Sequence, residues 1–338
     1  MDDKNEQIYS QYSIQIDNIY KNKGIVYLET KDGLYIIKSY NYTEKKLKTE
    51  NLVKEEIERR GYENLDICVA NKTDGYISYN KYMNKFIMRK WFVGDECDIN
   101  NIDDMCKTSA NLASLHSYME DISVEGEDIA IIPKRNFINE YKNYIGELKR
   151  VKKYLYNKKK KNQLELDIIK SIDYYYKEMD KYLHKLEESQ YETLYEESIE
   201  QNKICHGGYT HHSVLLLKDD VATINFDKMH YGVQIYDLYA LLRKAMEKNN
   251  WDIEMAKDII ESYNEIRKIT DAEKEILIIL LGYPEKYRKL INGYYNGKKA
   301  WLSIRIYEKL NELVATEEQR QEFIKSLEDY LSHFPLVN

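Results

Sequence analysis

Hydrophobic and polar positions alternate through Gly24–Lys38, GIVYLETKDGLYIIK, in two β-type runs that meet at Lys31-Asp32-Gly33. An Asp-Gly pair supplies the positive φ angles of a tight turn, so the pattern predicts an antiparallel hairpin after a polar N-terminal tail. The period then lengthens. Leu47, Leu52, Val53 and Ile57 share one stripe of a helix over Thr43–Arg60, and Gly61 is its stop. Short strand candidates follow near Ile67–Ala70, Gly75–Asn80 and Phe86–Phe92, then Gly94 and a helix around Asp103–Met119. That order predicts a small α+β lobe over residues 1–91. From Phe137 to Glu200 helical spacing runs without proline, broken near Asn157–Asn162. Stripes such as Leu238, Leu241 and Leu242 continue beyond it, with breaks at Pro284 and Gly293. The second lobe, residues 92–338, is therefore expected to be mainly helical.

Length agrees with two lobes, since 338 residues exceed the roughly 250–300 at which single cores stop growing. A net charge of −7 argues against general nucleic-acid affinity. No stretch approaches the ~18 consecutive apolar residues of a membrane span, and MDDKNEQIYSQY has neither the basic nor the apolar region of a leader. A soluble protein made in a cytosol is the expectation, with no membrane and no nucleic acid among its partners. Cys68, Cys97, Cys106 and Cys205 form no CxxC pair and are expected to be reduced and mostly buried. The excess of 33 Tyr over 6 Phe fits the codon bias of an AT-rich genome better than a cross-linking surface.

The chemistry concentrates late in the chain. Ile204–Lys218 reads ICHGGYTHHSVLLLK and Val221–Asp227 reads VATINFD: a His-Gly turn, a short strand, a tight turn and a second short strand. Phosphotransferases of kinase type use this layout because a catalytic carboxylate and a metal ligand must both face the terminal phosphate. Their form is H-G-D-x4-N followed by I-D-F. Here His206 and Gly207 stand in place, but the acid position is Gly208, the Asn position is Ser213 and the metal-binding acid position is Asn225. Asp237-Leu238, with Arg243, resembles the D-L element of aminoglycoside and choline kinase-like proteins, in which the Asp steadies the loop. Lys38 matches their phosphate-holding strand lysine, with Glu50, Glu55 or Glu56 as its candidate partner.

Trp91-Phe92-Val93-Gly94-Asp95-Glu96 resembles the W-x-x-G-x-E linker of the CotS-like spore coat family, and Leu112-Ala113-Ser114-Leu115-His116 its L-A-x-L-H helix. Tyr283-Pro284-Glu285-Lys286-Tyr287, Gly293-Tyr294-Tyr295-Asn296 and Lys299-Ala300-Trp301 resemble its C-terminal signature. The resemblance spans about Gly24 to Phe334. It implies a two-lobed, protein-kinase-like α+β fold of aminoglycoside phosphotransferase type. It also implies a spore coat component, made in the mother cell, whose partners are other coat proteins.

Gly208 supplies no base, and Asn225 and Ser213 leave the metal position without carboxylates, so the residues point to a pseudokinase that needs no cofactor and no metal. The remnant nucleotide site is Lys38, Glu55, His206 and Asp227, with Asp237 structural. Two alternatives stay open: an atypical small-molecule kinase using Asp227 and a histidine, since Asp227 shares the strand face of Asn225 if the strand continues, and a sensor holding a nucleotide or small molecule weakly in the old cleft. Beside these, His206 reads as a loop organiser, His116 as a packed structural residue and His211-His212 as an adventitious surface pair rather than a metal site with Cys205. The basic run Lys149–Lys161 reads as a solvated helix end or loop.

Overall fold

A computed structural model describes residues 7–22, 25–296 and 304–334. Gly24 and the Lys299-Ala300-Trp301 signature lie outside the described residues. The first lobe is an antiparallel sheet in the order β1-β2-β3-β5-β4. Its strands are β1 (Asn18–Asn22), β2 (Ile25–Thr30), β3 (Gly33–Ser39), β4 (Ser78–Tyr79) and β5 (Lys85–Trp91). The hairpin pairs Thr30 with Gly33, and the positive φ of its turn falls on Gly33 at 133°. What the sequence suggests is a polar tail is structural: β1 closes the sheet, and Ile8 and Tyr12 are buried against Val26, Leu28, Ile37 and Met88. Ile67–Ala70 is an extended segment rather than a strand, bridged to β5 at Cys68 and Arg89.

Helix α1 (Glu44–Arg59) begins where Thr43 accepts a hydrogen bond from the Lys46 amide, and ends before Gly61, whose φ is 108°. It buries Leu47 against the Ile87 side of the sheet, and Val53 and Ile57 in the core shared with the helical lobe. After Trp91 the linker forms β6 (Asp95–Glu96), which pairs with β8 (Val214–Leu216), itself paired with β9 (Val221–Thr223). A Cβ on Gly94 would meet the Leu216 backbone oxygen at 2.6 Å, which is why the linker needs glycine there.

The remainder is helical: α2 (Ile102–Tyr118), α3 (Phe137–Asn157), α4 (Gln163–Glu188), α5 (Tyr191–Glu200), α6 (Ile235–Met246), α7 (Ile253–Ile266), α8 (Asp271–Gly282), α9 (Glu285–Asn296), α10 (Ile304–Ala315) and α11 (Glu317–Ser332). The break between α3 and α4 is closed by a capping box of Asn162 and Glu165. Lys158 reaches back to Glu165, so the basic run ends in a tied turn. Tyrosine is a core residue here. Tyr141 stacks on Tyr283 with centroids 3.6 Å apart, Tyr175 on Tyr287 at 3.9 Å, and most of the deeply buried hydroxyls find partners such as Ser171 and the Leu313 carbonyl. Among the described residues no helix is long and apolar enough to cross a membrane.

Helices α4 and α8 approach so closely at Gly282 that an added Cβ would fall within the Tyr182 ring. Gly282→Ala should therefore lower unfolding stability by about 2 kcal/mol or more, through overpacking of a tight contact. Urea unfolding followed by circular dichroism measures it, and a change within error would mean that the contact yields freely.

Candidate functional site

The His-Gly turn is built around one carboxylate. Asp237, fully buried in the first turn of α6, accepts the backbone amides of His206 at 2.6 Å and Gly207 at 2.8 Å, and His116 Nε2 lies 3.3 Å away. Gly207 has a φ of 76°, and a Cβ there would overlap the Lys228 backbone oxygen. The strained position is thus Gly207 and not Gly208. Gly208 has an ordinary φ, and its Cβ would meet the Lys228 side chain at 3.3 Å and His206 Nδ1 at 3.9 Å.

His206 is buried beneath the loop. Its Nε2 donates to the Ile224 carbonyl at 3.0 Å and its Nδ1 accepts the Gly208 amide at 3.2 Å, so the ring bolts the turn to the end of β9. Burial holds its pKa below the usual histidine value, so the ring is neutral at pH 7. Ser213 is buried as well. Its hydroxyl donates to the Thr210 carbonyl and accepts the Thr210 amide, both at 2.8 Å, capping the short turn from which β8 starts.

β9 ends at Thr223, and Asn225 takes a left-handed φ of 67°. The strand face that would align Asn225 with Asp227 is therefore broken. Asn225 opens on the cleft between the lobes, where its Oδ1 accepts Lys38 Nζ at 3.1 Å. Asp227 lines a separate pocket and accepts the Tyr42 hydroxyl at 3.4 Å.

None of Glu50, Glu55 or Glu56 bonds Lys38. Glu55 accepts from Asn51 at 2.7 Å, and Glu56 holds Arg59 and Arg60. Glu50 belongs to a buried cluster that the sequence reading missed: its Oε1 accepts Lys54 Nζ at 2.6 Å and Arg89 at 2.7 Å. Asp66 completes the cluster, with Lys54 at 2.5 Å and Arg89 at 2.9 Å. Lys54 and Asp66 are both 0% exposed. Burial alone would raise both carboxyls, but the two cations hold Glu50 and Asp66 below the ordinary carboxylate range. Asp66 also accepts the Asn225 backbone amide at 3.3 Å, so the cluster reaches the loop after β9. Lys38 has its pKa lowered by burial and then by repulsion from Arg89.

A divalent cation does not fit these donors. Asn225 presents one neutral oxygen already facing an ammonium group, Ser213 is spent on its own loop and Gly208 has no side chain. The cleft itself is about 430 Å³, lined by Tyr27, Ile36, Lys38, Trp91, His212 and Asn225 among others.

Sheet order, connecting linker and loop geometry together define a two-lobed, kinase-like fold of the aminoglycoside phosphotransferase type. The structure of an aminoglycoside phosphotransferase from Alicyclobacillus acidocaldarius superposes with a TM-score of 0.83 at 15% identity, covering 97% of this chain and 96% of that one. The AMP-bound spectinomycin phosphotransferase APH(9)-Ia superposes at 0.64 and 12% identity, over 92% and 95%. Residues 5–327 match the family described as "Spore coat putative kinase YutH", and the chain belongs to that spore coat family. It is also 25% identical to spore coat protein S of Bacillus subtilis (strain 168) over 147 residues, 43% of this chain and 42% of that protein, so the match spans less than half of that relative's length.

Two outcomes follow from the electrostatics. Lys54→Met leaves two buried carboxylates facing one guanidinium and should cost about 3–5 kcal/mol at neutral pH, measured by chemical denaturation. A loss under about 1 kcal/mol would show that solvent reaches the cluster.

The buried histidines fix a pH window. His116 and His206 have lowered pKa values, and burial pushes His230 down to about 4. The unfolded chain then binds more protons than the native one, so this stability is complete above the unfolded value near 6.5 and is lost as pH falls toward 4. Between about pH 6.5 and 5, before most carboxylates titrate, stability should fall by up to about 1.4 kcal/mol per pH unit for each such histidine. A flat profile in that window would mean that the rings protonate within the fold.

Proposed function

We propose that this member of a spore coat family is a pseudokinase, made in the mother cell, which serves coat assembly through contacts with other coat proteins. The observation that carries the reading is the Lys38–Asn225 hydrogen bond. The lysine that would hold nucleotide phosphates is bonded to a neutral amide at the position where a metal-binding carboxylate is required. Gly208 removes the base, and a Cβ added there would come within 3.3 Å of the Lys228 side chain. The pocket around Asp227 is separate from that cleft, which weighs against an enzyme using Asp227. The open cleft beside Lys38 favours a second reading, a non-catalytic sensor of a nucleotide or small molecule.

Thermal shift with ATP, with and without Mg²⁺, separates these readings. Saturation at about 100 times Kd stabilises by about 2.7 kcal/mol, and the pseudokinase should show far less, with no effect of the metal. A metal-independent shift would support the sensor. A Mg²⁺-dependent shift that disappears in Asp227→Ala would support the enzyme. The triple variant Gly208→Asp, Ser213→Asn, Asn225→Asp should stay silent in ATP turnover, because Ser213 caps its own loop and a carboxylate at position 225 would face Asp66, whose oxygen already accepts the Asn225 backbone amide. Metal-dependent turnover by it would show that only side chains had been lost.

A further inference from the structure

The second pocket, about 520 Å³ between α1, the segment 130–135 and the loop 226–230, is large enough for a small ligand. Four cations from four different segments line it: Lys46, Arg135, Lys228 and Lys289. The acids on its wall offset them only in part. Glu50 is committed to Lys54 and Arg89, which leaves Asp227. Arg135 is held by Glu140 and Lys289 by Glu285. Among the described residues no carboxylate pairs with Lys46 or Lys228; Lys46 rests on the Tyr42 ring at 4.0 Å.

A buried orphan accompanies these charges. His230 is 1% exposed, lines the same pocket and bonds the Lys228 carbonyl through Nδ1 at 3.1 Å. A bond to a carbonyl puts the proton on Nδ1, so Nε2 carries a bare lone pair, and it has no partner. A buried acceptor without a donor is costly, and a ligand hydroxyl would satisfy it. Ammonium groups without a carboxylate partner and a histidine nitrogen without a donor therefore line one pocket.

We propose that this pocket binds a small polyhydroxylated anion, a sugar acid or sugar phosphate, with Lys46 and Lys228 holding the charged group and His230 Nε2 accepting a hydroxyl. The assignment does not depend on whether the cleft at Lys38 is catalytic, because the two pockets share no lining residue. It excludes amino sugars and quaternary amines, which these cations would repel.

Gluconate, glucose and glucosamine share a skeleton and differ in charge, and glucose 6-phosphate replaces the carboxylate by phosphate. Calorimetry on the full chain should show gluconate or glucose 6-phosphate saturating at millimolar concentration, with neither glucose nor glucosamine binding. Binding of one anion alone would fix the head group. Lys46→Ala and Lys228→Ala should each weaken it about tenfold or more, as expected for a charged hydrogen bond. Lys38→Met, in the other cleft, should leave it unchanged. Lys228 is exposed, so Lys228→Glu is a second variant that keeps the fold; it should abolish anion binding. Failure of both anions to saturate, equal binding of glucosamine, or loss of binding in Lys38→Met but not in the pocket variants would overturn the assignment.

Discussion

The four buried charges of Glu50, Lys54, Asp66 and Arg89 are the constraint on which the arrangement of the lobes depends. They come from three places, α1, the segment after it and β5, and Asp66 extends them to the backbone of Asn225 in the second lobe. Each ion loses its hydration, a penalty of several kcal/mol that only close pairing offsets. Two acids against two bases at 2.5–2.9 Å meet that condition. The Lys54 ammonium also lies 5.1 Å from the centroid of the Phe226 ring, so helix, sheet and loop can separate only by exposing unpaired charge.

A second fixed point is Asp237. Its carboxylate takes two consecutive backbone amides, and the His206 ring takes the Ile224 carbonyl, so the turn keeps its shape without any catalytic side chain. The residues retained from the phosphotransferase pattern, His206, Gly207 and Asp237, are those that hold the backbone. Those replaced, Gly208, Ser213 and Asn225, are those that would face substrate and metal. The retained residues are thus sufficient to shape the loop, and fold by itself does not carry the chemistry.

The hairpin, α1 with its Gly61 stop and the break before Asn162 were legible because local period and stop signals fix them. The first strand was not, because β1 reads NIYKN, with only Ile19 partly buried, and gains its place by pairing with β2. The cluster left a usable signal. Leu47, Glu50, Lys54 and Ile57 share a helix face, and Ile87 and Arg89 share a strand face, so charges on an apolar stripe announced buried pairing. The partner of Lys38 left none. Three glutamates on the next helix suggested an ion pair, whereas the left-handed turn at Asn225 decides the contact, and a single backbone angle does not show in a residue pattern.

The charge count around Asn225 explains why an amide is stable there. Lys38, Lys54 and Arg89 face Glu50 and Asp66, an excess of one positive charge in a partly buried space, and the Lys38 pKa is lowered by burial first and by the Arg89 charge second. An aspartate at this position would balance the charges, yet it would stand against Asp66, whose oxygen already accepts the backbone amide of that residue. Phosphotransferases relieve such crowding with a bound divalent cation. Without one, a neutral side chain that tolerates a left-handed φ and accepts from a lysine meets each local requirement, and asparagine has all three properties. Asparagine is thus self-consistent with the rest of the loop, its oxygen accepting from the Lys38 ammonium.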